Sequence, residues 1–163
     1  MQRLLFELYP GADTKTLSAR GYALARALCA QHTGHPADAL DCRREPHGKP
    51  YFVDAPGFHF NLSHSGAALA LAVSDTPIGV DVERLRAPDF RIARRNFAPD
   101  EAAFVGEDAQ RFFQIWTQKE AYLKYTGDGL SRPLASFSVL VLPNLRFETQ
   151  TRDGYVLTTC KAQ

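Results

Sequence analysis

Long apolar runs are missing from this chain. No stretch approaches the roughly 20 residues that a membrane-spanning helix needs, and Glu7, Pro10 and Asp13 interrupt the place a secretion signal would occupy. No membrane association and a cytoplasmic location are the resulting expectations. Cysteine is scarce, three residues in 163, and its odd number suits reduced thiols rather than a disulfide framework. An excess of one charge is missing too: 19 basic against 18 acidic residues leave a net charge of +1, which argues against generic nucleic-acid binding. Neither G-x-x-x-x-G-K-[ST] nor G-x-G-x-x-G occurs, so the common glycine-rich phosphate loops are excluded. What is present is 45% hydrophobic content, enough for one proper core in a chain too short for two large independent domains.

Cys29, His32, His35 and Cys42 are zinc-ligand types in a tight cluster, but their spacing fits no familiar zinc module. Cys29 also continues the apolar side of a helix predicted over about 16–31, where Leu17, Ala25 and Leu28 lie. Gly34-His35-Pro36 reads as the loop ending that helix, which makes Cys29 a core residue.

The chemistry gathers elsewhere. In Gly79-Val80-Asp81-Val82-Glu83, strand alternation puts Val80 and Val82 on one face and Asp81 and Glu83 on the other. An ionised Asp81 inside an apolar run is costly unless a cation or hydrogen bonds compensate it. Magnesium suits such a pair, because it takes a few carboxylate oxygens and completes its shell with water and phosphate; a solvated strand face pairing with Arg84 and Arg86 is the plainer reading. Phe112 to Lys124 reads as a helix with Phe112, Ile115, Trp116, Tyr122 and Leu123 on one arc, and Gln114, Thr117, Gln118 and Ala121 opposite. Lys119 falls amid the aromatics, where a lysine either snorkels to water or meets an anion. Glu120 and Lys124 lie one turn apart at the edge of the arc. Upstream, Phe58 to Ser63 alternates as a half-buried strand, His64-Ser65-Gly66 turns the chain into a second run from Ala67 to Val73, and Thr76-Pro77 turns it into the Gly79 strand. A three-stranded meander is predicted, with Ser63 and His64 near the end that carries Glu83. Gly48-Lys49-Pro50 offers a lysine between a flexible and a rigid residue, suited to a phosphate or to a surface turn.

Taken in order, Gly48-Lys49-Pro50, Phe60-Asn61-Leu62-Ser63-His64-Ser65-Gly66, Ile78 to Glu83, and Trp116-Thr117-Gln118-Lys119-Glu120-Ala121 with Lys124 resemble the motif series of the 4'-phosphopantetheinyl transferases. Gly127 to Val139, with Gly129-Leu130-Ser131 and Phe137-Ser138-Val139, is similar to the segment that follows in the surfactin-synthetase-type branch. The resemblance implies transfer of the phosphopantetheine arm of coenzyme A to a serine of an apo carrier protein, with magnesium required and adenosine 3',5'-bisphosphate released. It implies Asp81, Glu83 and Glu120 as metal ligands, Glu120 also as the base for the serine proton, and Lys124 as the cation at the bridging and leaving oxygens. Lys49, Ser63 and His64 would grip the 3'-phosphate of coenzyme A, with Lys119 also on the cofactor side. Longer relatives direct basic N-terminal residues at the nucleotide; here Lys15 and Arg20 are the possible substitutes, each equally a solvated helix residue.

The implied architecture is α+β, with two similar halves, 1–84 and 85–163, each a helix with a three-stranded sheet. A pseudo-two-fold axis would relate them, with the active site in the cleft between and a monomer as the functional unit. In the second half, helices are predicted over about 99–105 and 110–125 and strands near 136–142, 145–151 and 154–160. Residues 84–95 hold five arginines against one acid, either a solvated helix face or a dock in which Arg91, Arg94 and Arg95 meet an acidic carrier protein. Two other classes stay open: a non-catalytic carrier-protein or coenzyme A binding module, and another magnesium-dependent phosphotransferase or nucleotide hydrolase.

Overall fold

The computed structural model describes residues 1–163. The side chain of Leu130 lies outside the described residues, and with it part of the Gly129-Leu130-Ser131 motif. The chain is α+β, and it folds the same simple path twice. Strand β1 (Gln2–Leu8) leads to helix α1 (Thr14–Thr33), then a small separate hairpin of β2 (Cys42–Arg44) and β3 (Pro50–Phe52), then strands β4 (His59–Ser65) and β5 (Ala68–Ser74). Strand β6 (Ile78–Arg84) leads to helices α2 (Phe90–Asn96), α3 (Pro99–Val105) and α4 (Ala109–Thr126), then β7 (Leu145–Arg152) and β8 (Tyr155–Ala162). Each path makes an antiparallel sheet whose last strand is central, β1-β5-β4 and β6-β8-β7.

Two expectations are corrected here. The predicted meander does not form, because β6 leaves β5 and hydrogen-bonds along its length to β8. No strand forms near 136–142; that stretch continues from a short 3₁₀ turn, Leu134–Ser136, into a turn at 139–140. Strand β1, which was not predicted, closes the free edge of β5 from Gln2 against Ser74 to Leu8 against Ala68.

Alternation along β5 decides how the sheets meet. Leu69, Leu71 and Val73 face one way, and Leu71 and Val73 join Ala25 and Cys29 of α1, Phe52, Phe58 and Phe60 in the first core. Ala68, Ala70 and Ala72 face the other way and pack on Ile78, Val80, Val82 and Leu157. Small residues here let the second sheet come close. Asp13 caps α1 by accepting the Thr16 N–H at 2.7 Å, and Gly34, at φ 77°, ends it.

Helix α4 is buried on two sides rather than one. Its aromatic arc enters a core with Phe97, Phe137 and Val139. The side opposite is covered as well: Thr117 and Ala121 are fully buried, and Thr117 shares a hydroxyl hydrogen bond of 2.7 Å with Thr158 of β8. Lys119 does not snorkel to water; the anion it meets is a buried carboxylate of the protein itself. Its ammonium, 0% exposed, pairs with the equally buried Glu101 at 2.6 Å and donates to the carbonyls of Leu134 at 2.8 Å and Phe137 at 2.6 Å. Glu101 in turn accepts from the N–H groups of Ala98 at 2.8 Å and Val139 at 2.7 Å. Burial pulls the Lys119 pKa down while Glu101 opposes that pull. The pair ties the start of α3, the middle of α4 and the segment at 134–139 to one point.

Removing one member should strand the other. Lys119→Met is expected to lose about 3–5 kcal/mol of stability in urea unfolding, the usual cost of an uncompensated buried charge. Adding Glu101→Gln, which removes that charge while keeping an acceptor, should recover part of it; no recovery would mean that the loss comes from packing.

Candidate active site

Strand β6 is the edge of its sheet, so alternate N–H groups point away from β8 and need acceptors. Strand β4 supplies them from side chains. Asn61 Oδ1 accepts the Val80 N–H at 2.9 Å, Ser63 Oγ the Val82 N–H at 3.3 Å, and Ser65 Oγ the Arg84 N–H at 3.2 Å. The period of two in Asn61-x-Ser63-x-Ser65 is what puts all three on one face.

On this ladder sit the carboxylates. Asp81 is only 4% exposed, so the plainer reading of a solvated strand face does not hold at this residue. Its Oδ1 accepts from Ser63 Oγ at 2.8 Å and from the ammonium of Lys124 at 2.7 Å, while its Oδ2 is buried with no partner among the described residues. Glu83 is partly exposed and accepts from Ser65 Oγ at 2.8 Å and Arg86 at 3.3 Å. Glu120 has its pKa raised by burial first, then by the charges of Asp81 and Glu83, with Lys124 opposing. Glu120 thus feels both β6 carboxylates across the gap between β6 and α4. Among the described residues no three such groups stand as a formed metal cage. The donors nevertheless fit a hard cation: oxygen ligands only, one of them buried and unsatisfied, and a third carboxyl whose pKa is held up first by burial and then by its like-charged neighbours.

Gly79 sets the depth of the site. A Cβ at this position would stand 2.0 Å from the Ala121 carbonyl oxygen and 2.6 Å from the Tyr125 nitrogen, so the backbones of β6 and α4 are in direct contact. That contact brings Lys124 to Asp81.

Beside the carboxylates opens a cavity of about 240 Å³ between the two halves. Ser18 and Tyr22 of α1, Arg44 and His47 to Pro50 of the hairpin, Asn61 and Leu62 of β4, and Leu123, Lys124, Gly127 and Gly129 line it. Lys124 belongs to both the cavity and the carboxylate cluster. Lys49 lines the cavity while its ammonium donates to the Tyr125 carbonyl at 2.7 Å, at the C-terminal end of α4, and burial lowers its pKa. Ser63 and His64, expected side by side on a phosphate, point to opposite faces of β4 because they are adjacent in a strand. Half-buried His64 shares the face of Leu62, which lines the cavity. Lys15 and Arg20 lie away from the cleft in a shallow concavity on α1, with Arg20 over the Tyr9 ring at 4.6 Å. Lys49 and Lys124 line the cleft as expected site residues, whereas Arg44 and His47, which also line it, were missed; their one sequence signal is their closeness to Gly48-Lys49-Pro50.

An anionic pair under a helix, next to a cavity lined in part by Arg44, Lys49 and Lys124, has the charge pattern that a polyphosphate and its cation would need. Comparison with known proteins agrees. The model of the 4'-phosphopantetheinyl transferase superfamily matches residues 77–162, and that of the 4'-phosphopantetheinyl transferase N-terminal region matches residues 8–76. The chain belongs to this superfamily. A 4'-phosphopantetheinyl transferase of Bacillus subtilis is 34% identical over 140 residues, covering 83% of this chain and 62% of the relative. The 4'-phosphopantetheinyl transferase Sfp of Bacillus subtilis strain 168 is 36% identical over 126 residues, 73% of this chain and 55% of the relative. The 4'-phosphopantetheinyl transferase gsp of Aneurinibacillus migulanus is 37% identical over 173 residues, 95% of this chain and 72% of the relative. The chain therefore spans little more than half the length of some of these relatives.

Gly79→Ala should push α4 off β6. We expect a loss of about 1–3 kcal/mol, the usual cost of overpacking, or more, since the obstacle is backbone; a melting temperature equal to that of the parent protein would contradict the contact.

Proposed function

We propose that this chain transfers the 4'-phosphopantetheine arm of coenzyme A to a serine hydroxyl of an apo carrier protein, releasing adenosine 3',5'-bisphosphate. One observation carries the reading most directly: Lys124 is shared between the carboxylate cluster and the basic cavity, so a diphosphate seated in the cavity would meet both. Asp81, Glu83 and Glu120 would hold magnesium, which when bound neutralises charge on the diphosphate. Asp81 Oδ2 is the oxygen left free for it. Lys124 stabilises charge on the bridging and leaving oxygens. Glu120, its pKa raised by its surroundings, takes the serine proton. Arg44, His47 and Lys49 form the basic wall toward the nucleotide, with His64 extending it toward the 3'-phosphate. The two halves, related by a pseudo-two-fold axis, close the cleft around the ligand, and a monomer suffices.

A binding module without activity would have no use for an unsatisfied buried carboxylate beside a shifted glutamate. Incubation with coenzyme A, magnesium and apo carrier protein, followed by intact mass, separates the readings. A carrier heavier by the phosphopantetheine arm supports transfer; an unchanged carrier with coenzyme A consumed points to a hydrolase. Asp81→Ala and Glu120→Ala are each expected to abolish the mass gain in a folded protein, and near-normal turnover of either would sink the assignment. His64→Ala should weaken coenzyme A by roughly 1.5–3 kcal/mol, the range for a charge-assisted hydrogen bond, and dephospho-coenzyme A far less. Equal weakening of both in calorimetry would make His64 structural.

For the carrier protein we propose docking at α2. Arg91 is tied to its own helix cap, Asp89, whose pKa falls to about 2 through that pairing, and Arg94 meets Glu107 at 3.7 Å. All these groups are exposed, so they can exchange partners for an acidic helix. Reversing Arg94 and Arg95 to Glu should raise the carrier KM and leave coenzyme A affinity unchanged. A KM within twofold of the parent value at low salt would reduce the arginines to a solvated face.

A further inference from the structure

The hydroxyl of Ser63 has no capacity left for a ligand. A serine hydroxyl holds one proton and two lone pairs. Here the proton goes to Asp81 Oδ1 at 2.8 Å, and the oxygen accepts the Val82 N–H at 3.3 Å and the Lys124 ammonium at 3.0 Å. Two residues on, the pattern repeats: Ser65 Oγ accepts the Arg84 N–H at 3.2 Å and donates to Glu83 Oε2 at 2.8 Å. In both cases the strand N–H occupies the oxygen from one side and turns the proton toward the carboxylate that precedes it in β6.

We infer that Ser63 and Ser65 are positioning residues, each aiming one β6 carboxylate by engaging one of its two oxygens and leaving the other for the cation. This rests on the reading that Asp81, Glu83 and Glu120 hold magnesium. The consequence is clearest at Asp81, where Oδ1 accepts twice and Oδ2, buried, accepts nothing. Free rotation of the carboxylate would blur that distinction between its oxygens. Ser63 keeps it. Groups that orient metal-ligating carboxylates typically matter 10–100-fold in metal affinity when removed.

The test is manganese binding to the full chain in the presence of coenzyme A, read by electron paramagnetic resonance, with coenzyme A binding measured separately by calorimetry in EDTA. Ser63→Ala and Ser65→Ala should each weaken manganese, about 10–100-fold for Ser63→Ala. Ser63→Thr, which keeps the hydroxyl, should restore it. Coenzyme A affinity in EDTA should stay within twofold throughout. Parental manganese affinity in both alanine variants would overturn the inference, as would a fall in EDTA-measured coenzyme A affinity in Ser63→Ala, which would make the hydroxyl a ligand contact. Absence of manganese binding by the parent protein would bring down the magnesium reading itself and this inference with it, an outcome distinct from the other two. If Ser63→Ala melts below the assay temperature, Ser65→Ala, at the half-buried end of the ladder, decides.

Discussion

Three side chains on one face of β4 do the work of a missing strand. Asn61, Ser63 and Ser65 accept the outward N–H groups of β6, so the edge of the second sheet is closed by side-chain oxygens of the first. A backbone partner would have merged the sheets into one and left no room for function on that face. With side chains as the acceptors, the strands stand further apart, and the hydroxyl protons remain available to the carboxylates. The junction of the halves and the orientation of Asp81 and Glu83 are therefore one structure. Each buried N–H left without its acceptor would cost about 1–3 kcal/mol, so polar residues on that face are required by the fold before they are required by any chemistry.

Much of this was legible in the sequence. Periodicity placed α1 and α4 to within about two residues at each end, and it found β4, β5 and β6, although His64 and Ser65, read as part of a turn, are the last two residues of β4. The pairing of β6 was not legible, because a short turn such as Thr76-Pro77 suits a hairpin and a crossing between sheets equally well, and only the alanines at 68, 70 and 72 hint that a second sheet packs there. The stretch near 136–142 reads as a strand by composition, but the Lys119 ammonium takes the carbonyls of Leu134 and Phe137, and Glu101 takes the Val139 N–H. Those groups are then no longer free for a ladder.

Lys119 marks the general difficulty. Amid aromatics, a lysine gives the same sequence signal whether it meets a phosphate or a buried acid, and the acid in question, Glu101, lies 18 residues away in a different helix. Asp81 presents the reverse case. Its place in an apolar run suggested a need for compensation, and the structure meets that need on one oxygen only. Arg44 and His47 reached the cleft by tertiary placement of a hairpin that belongs to neither main sheet, and no local pattern records such a placement.

The close contact at Gly79 has a mechanical meaning. With helix backbone resting on strand backbone, α4 cannot slide along or rock against β6 without collision, so Asp81, Glu120 and Lys124 move as one solid piece. The opposite wall is different in kind: a two-stranded hairpin that, among the described residues, pairs with neither sheet, tied to α4 by the donation from Lys49 to Tyr125 and to the first core by Phe52. The two walls of the cleft are therefore built differently: backbone contact at Gly79 fixes the spacing of Asp81, Glu120 and Lys124, while side chains such as Lys49 and Phe52 seat the hairpin.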